Sequence, residues 1–205
     1  MPSEYSENVF INCPFDKDYL PLFHAMVFTV FDCGFVARCA QEIDDSSQIR
    51  IEKIIAIIRQ CQYGIHDLCR TEMDNGTGLP WFNMPLELGI FLGAKTFGSK
   101  DQKKKACLIL DCESYRYQKF ISDISGQDIR SHSSTSEGVV FAIRNWLRSV
   151  TKGTRQMPGG SEIHSRYQEF RHKLPDYCSQ IRIQETELTF IDYADAVSRW
   201  LKING

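Results

Sequence analysis

Glu87 is the one acidic residue in the otherwise apolar, glycine-punctuated stretch Asn83-Met84-Pro85-Leu86-Glu87-Leu88-Gly89-Ile90-Phe91-Leu92-Gly93-Ala94-Lys95. A carboxylate held in a partly apolar cleft suits cleavage of an N-glycosidic bond. As that bond breaks, positive charge develops at the anomeric carbon, and a fixed anion stabilises it or captures it covalently. The leaving group sets the second requirement. Nicotinamide departs neutral from an oxidised dinucleotide, whereas a purine or pyrimidine must be protonated as it leaves, which needs an acid. Asp67 is the candidate for that acid or for holding ribose hydroxyls; capping the loop after its strand is the competing structural role. The competing role for Glu87 is equally plain: an acid in the first turn of a helix is favoured by the macrodipole alone.

The elements that must position these groups can be read in order. Val9 to Cys13 is a β-prone run that stops at Pro14, and Leu20, Phe23, Val27 and Val30 then recur at helical spacing, with His24 a packed structural histidine beside them. Phe35 to Ala40 makes a second strand. Asp44-Asp45-Ser46-Ser47 offers an N-cap for a helix carrying Ile51, Ile54, Ile55 and Ile58. Tyr63 to Leu68 is a third strand, followed by a long polar loop, Cys69 to Phe82, of a length that is more often functional than not. Asn83 is the expected N-cap of the Glu87 helix, with Pro85 in its first turn; Leu86, Ile90 and Leu92 are its expected anchors, and Gly89 and Gly93 leave a bare stripe for close approach.

Ala106 to Asp111 has the pattern of a central parallel strand. A short helix at 117–124, a weak strand at 127–130 and a capping box at Ser134-Thr135-Ser136-Glu137 before another helix complete an α/β unit. Strands alternating with helices give a doubly wound parallel sheet of four to five strands over residues 1–150. Residues 151–161 read as a linker, and 162–205 as a C-terminal helical extension with helices near 162–174 and 187–201 that pack on the sheet or mediate oligomers.

In such sheets ligands bind beyond the carboxyl ends of the strands. Asn12, Asp16, Arg38, Asp67, Arg70, Glu87 and Asp111 meet that condition, with Phe15, Trp81 and Phe82 available to stack on a base. Arg38 and Arg70 are expected to hold phosphates, since guanidinium suits that geometry. There is no G-x-G-x-x-G, no G-x4-G-K-[ST] and no G-x-S-x-G, so hydride transfer, P-loop hydrolysis and a serine elbow are poorly supported.

Composition narrows the class further. The 205 residues are 42% hydrophobic and 24% charged, with a formal net charge of −2, a balance with no bulk electrostatic drive toward nucleic acid or an anionic membrane. The run Lys103-Lys104-Lys105 reads as a solvated loop. No apolar run is long enough to span a bilayer and the first residues lack a secretory signal. The eight cysteines contain no C-x2-C pair and behave as reduced, small hydrophobes, so no metal site and a cytoplasmic location are expected.

Val9-Phe10-Ile11-Asn12-Cys13-Pro14-Phe15, Gly64-Ile65-His66-Asp67-Leu68 and Pro85-Leu86-Glu87-Leu88-Gly89 with Ala94-Lys95 resemble the TIR and nucleoside 2-deoxyribosyltransferase-like superfamily over roughly residues 8–150. The resemblance implies a flavodoxin-like sheet, Glu87 as the catalytic glutamate that attacks or stabilises the ribosyl carbon, and Asp67 as the ribose-side acid. With the strand-end reading, the expected substrate site is drawn from Asn12, Pro14, Phe15, Asp16, Arg38, Arg70, Trp81 and Asn83. The resemblance further implies NAD or a related nucleotide as substrate, no separate cofactor, and a bacterial antiphage effector that works as a homo-oligomer or with a partner defence protein. Two rivals stand beside this expectation: a module that senses a nucleotide without cutting it, and a structural adaptor whose C-terminal helices bind a partner.

Overall fold

The computed structural model describes residues 4–71 and 81–205. Five strands, β1 (Asn8–Asn12), β2 (Val36–Cys39), β3 (Tyr63–Asp67), β4 (Ala106–Asp111) and β5 (Ile129–Ser131), form one all-parallel sheet in the order β2-β1-β3-β4-β5. The central strands β1 and β3 are buried at every position, and that burial takes in polar side chains as well as apolar ones: Asn8 and Asn12 in β1, His66 and Asp67 in β3. Residues alternate between the two faces. Val9 and Ile11 join the core beneath α1 (Leu20–Asp32) and α4 (Ser136–Val150), while Phe10 packs on the opposite face with Ile54, Ile57 and Ile58 of α2 (Arg50–Arg59) and Phe91 of α3 (Asn83–Phe97). The chain is therefore doubly wound, with the flavodoxin-type strand order, and the connections after β1 and β3 leave the sheet in opposite directions. The crevice so opened lies at their carboxyl ends.

Helices α5 (Gly160–Ile181) and α6 (Phe190–Asn204) form a further layer on α1. Tyr193 stacks on His24 at 3.8 Å and donates to the His24 carbonyl at 3.2 Å, Tyr167 donates to the Pro21 carbonyl at 3.0 Å, and Phe28 meets Tyr167, Phe170 and Trp200. Their buried residues belong to the same core as Val9 and Ile11. Helix α5 runs past Pro175, where the sequence predicted an end. Leu174 and Cys178, on either side of the proline, are both buried, and that burial offsets a helix-interior proline costing roughly 3 kcal/mol.

Several local expectations shift. The N-cap of α3 is Phe82, not Asn83, so Glu87 is the fifth helical residue and lies beyond the first turn where the macrodipole acts. Asp45 does not cap α2; its carboxylate accepts from Ser47 and Gln48 within its own turn, and Ile49 precedes the helix with no side-chain cap. Thr135 caps α4, accepting from the Gly138 N–H at 3.0 Å, one residue later than the expected box. The segment expected as a helix at 117–124 is two 3-10 turns, Arg116–Lys119 and Ser122–Ile124. Lys105 is not solvated: its ammonium caps the end of α2, donating to the Ile58 carbonyl at 2.6 Å and to the Cys61 carbonyl, and lies 4.5 Å from the Phe91 ring centre. Among the described residues no helix is long and apolar enough to cross a membrane.

Gly89 and Gly93 face open space, and Leu86 is 56% exposed, so the expected close approach and anchor fall elsewhere. Met84, Leu88 and Phe91 carry the buried stripe, and Gly64 of β3 is the glycine that allows α3 to sit down. A Cβ there would lie 2.7 and 2.8 Å from Phe91 and 2.9 Å from His66 Nε2. Gly64→Ala is expected to lower stability by about 1–3 kcal/mol, read as a fall in denaturation midpoint.

Candidate active site

Glu87 lies on the stripe formed by Met84, Glu87, Leu88 and Phe91, at the i, i+3, i+4, i+7 spacing that a helix turns toward a sheet. The sequence that buries α3 therefore buries its acid as well, to 7% exposure. Among the described residues the Glu87 carboxyl has no hydrogen-bond or ion-pair partner. Loss of solvation pushes its pKa up to about 7, against the opposing pull of Arg50, the first residue of α2. Its charge is felt by the Cys13 and Cys39 thiols, which locates it above the carboxyl ends of β1 and β2.

Asp67 ends β3 and is fully buried. Its carboxylate accepts from the Tyr19 hydroxyl at 2.5 Å and from the Cys69 N–H at 2.8 Å, and His132 Nε2 lies 2.9 Å away, off the line of a well-aligned hydrogen bond. His132 Nδ1 accepts the Ser134 N–H at 3.1 Å, so a neutral ring carries its proton on Nε2, facing Asp67. Asp67 thus ties together the start of α1, the loop after β3 and the turn after β5, with its carboxylate fully enclosed and engaged. That corrects both expected roles, leaving-group acid and ribose holder. Asp67, Cys69 and His132 are the one described set spaced for a metal ion. The fit fails on the tautomer: the nitrogen facing the set is protonated, whereas a ligating histidine nitrogen must be bare.

The other expected binding residues divide. Asn12 is buried and donates to the Met84 carbonyl at 2.9 Å, with His66 Nδ1 at 3.1 Å; it fixes the start of α3 over β1 rather than facing solvent. Pro14 is buried, and Phe15 packs edge-on against Phe23 at 5.2 Å. Asp16 opens α1 by accepting from the Asp18 and Tyr19 N–H groups, and takes Arg70 at 3.2 Å. Arg38 is committed to Glu42 at 2.7 and 2.6 Å and also reaches Gln60, so it is not a phosphate holder. Asp111 is likewise taken, by Arg116 at 2.6 Å. Trp81, Phe82 and Asn83 are exposed at the mouth of α3, four to six residues before Glu87, with Trp81 at 42% and Phe82 at 68%. Asp74-Asn75-Gly76 of the long loop lie outside the described residues. Arg38→Ala is expected to change turnover by no more than about two-fold while lowering the denaturation midpoint, measured side by side.

A cavity of about 470 Å³ adjoins this region, lined by Asp18, Tyr19, Cys69, Arg70, Cys112 and Ser134 among others, at the carboxyl ends of β3 and β4. Glu87 does not line it. Tyr19 and Cys69, both hydrogen-bonded to Asp67, line it together with Arg70, while Trp81, Phe82 and Asn83 stand at the start of the Glu87 helix. Sequence reasoning missed Tyr19, His132 and Arg50. Only Arg50 left a signal, as a cation directly before the apolar series of α2.

Comparison with known proteins adds no family to this picture: no family model matches the chain, and neither a curated protein nor a solved structure matches it significantly.

Proposed function

We propose that the protein is a nucleotide N-glycosidase that cleaves NAD, or a related nucleotide, between ribose and base. One observation carries the reading: Glu87 is a buried carboxyl without a partner among the described residues, near the carboxyl ends of β1 and β2, where loss of solvation pushes its pKa up to about 7. In its charged form it stabilises or captures the ribosyl cation as the base departs. Water completes the reaction, so that NAD and water give nicotinamide, ADP-ribose and a proton. Asp67 is sealed away, and the one charge acting on Glu87 among the described residues is a cation, Arg50. With no second acid acting on it among the described residues, the site favours a leaving group that departs neutral, and nicotinamide is one. Trp81 and Phe82 offer exposed rings for stacking on a base.

The resemblance of the Glu87 and Asp67 segments to the TIR and deoxyribosyltransferase-like proteins supports the same reading. With it comes the proposal of a cytoplasmic bacterial defence effector, working as an oligomer or with a partner. The exposed apolar rim of Trp81, Phe82 and Leu86 also favours a second reading, a module that binds a nucleotide and assembles without cutting it.

The experiment is incubation of the full chain with NAD and a panel of nucleotides and nucleosides, followed by chromatography. Free nicotinamide with ADP-ribose is the expected product. Intact NAD with saturable binding and concentration-dependent assembly moves the assignment to the second reading, and neither binding nor products overturns both.

A further inference from the structure

Among the arginines at the sheet's carboxyl edge that invite assignment to an anionic ligand, Arg38, Arg70 and Arg116 are engaged, the last by Asp111. Arg38 is held by Glu42, and Arg70 by Asp16 with Asp18 at 3.9 Å. Arg50 is exposed and, among the described residues, makes no hydrogen bond or ion pair. The segment leading to it is closed by its own contacts: Asp45 accepts from Ser47 and Gln48, and the Lys53 ammonium donates to the Ile43 and Asp45 carbonyls at 3.3 and 3.0 Å. These contacts fix the start of α2 while leaving its first residue unused. Helix α2 has no side-chain cap, so its first N–H groups add to the guanidinium. Helices α2 and α3 are neighbours on one face and both open at the carboxyl edge of the sheet. The unpartnered Glu87 carboxyl lies within electrostatic reach of Arg50 and marks where the other end of a ligand must lie.

We propose that Arg50 is the specificity-determining residue of this site, binding the phosphate of a ribose 5′-phosphate ligand whose anomeric carbon faces Glu87, so that nucleotides are selected over nucleosides. The inference rests on the reading of Glu87 as the group that meets the sugar. Guanidinium binds phosphate through two parallel N–H donors, a geometry an ammonium does not reproduce. A cation at the phosphate also leaves the Glu87 carboxylate free to face the reacting carbon, the arrangement that a cationic transition state requires.

The test is calorimetric titration of wild-type, Arg50→Ala and Arg50→Lys chains with two probes, ADP-ribose and the phosphate-free nicotinamide riboside. Melting curves should coincide, because Arg50 holds no other residue. The expected result is at least about a ten-fold loss of ADP-ribose affinity in Arg50→Ala and an intermediate loss in Arg50→Lys, with nicotinamide riboside unaffected. Failure of the wild type to bind ADP-ribose overturns the proposal, as does a loss in Arg50→Ala that is absent or equal for both probes. Nicotinamide release from NAD is scored separately. Binding through Arg50 without release keeps this subsite and sinks the glycosidase reading, whereas release that depends on Glu87 but not on Arg50 does the reverse.

Discussion

Replacing Glu87 by glutamine is expected to lower nicotinamide release by about a thousand-fold or more while leaving the fold intact. The amide keeps the size of the carboxyl but supplies neither charge nor nucleophile. Stability should move the other way. The folded pKa, about 7, lies above the ordinary value of 4.5, so the native state holds the proton more tightly than the unfolded chain does. The stability from that proton is complete below pH 4.5 and is lost as pH rises through 7. At pH 8 the wild type therefore bears the cost of a buried anion that Glu87→Gln lacks, on the order of 3 kcal/mol from the size of the shift. Melting at pH 8 should show the variant higher than the wild type, and the gap should close toward pH 4. A variant that loses both activity and its melting transition would mean that Glu87 is structural.

Asp67→Ala is expected to behave in the opposite sense. It removes the acceptor shared by the Tyr19 hydroxyl and the Cys69 N–H and the charge facing His132, all at a fully buried position. Stranded buried donors of this kind cost about 3–5 kcal/mol together. In a chain of this size that corresponds to a fall in melting temperature on the order of 10 °C. Activity should fall in step with the folded fraction. Tyr19→Phe should reproduce part of the loss, and the double variant should lose less than the sum of the two, since they share one hydrogen bond. An Asp67→Asn chain that melts like the wild type yet cuts no substrate would restore Asp67 to the chemistry.

The contrast between these two acids shows what could be read in the chain and what could not. Strand β4 was legible because burial on both faces demands an almost unbroken apolar run, β1 and β3 were legible from short β-prone stretches, and the alternation of strand and helix then dictated a parallel sheet. Glu87 was legible as an acid in an apolar helix, though its helical turn was not, because Phe82 rather than Asn83 precedes the helix. The fate of Asp67 was invisible: its partner Tyr19 is 48 residues away, and His132 lies across the sheet. Arg38 was misread despite a local clue, since Glu42 four residues on is its partner. Lys105 looked solvated beside Lys103 and Lys104, because only the tertiary fold brings the carbonyls at the end of α2 to it. Pro175 ended the helix on propensity alone, where packing of Leu174 and Cys178 carried it further.

The central claim is that an ionised Glu87 acts on the ribosyl carbon, and the pH dependence of kcat/KM for NAD cleavage tests it most directly. The only described charge acting on Glu87 is Arg50, which stays protonated throughout the range, so a single ionisation should govern the acid limb. The rate should rise about ten-fold per pH unit below 7, reach half its plateau near pH 7 and level off above it. A rate independent of pH between about 5.5 and 8.5, or one that falls as Glu87 ionises, would contradict the account.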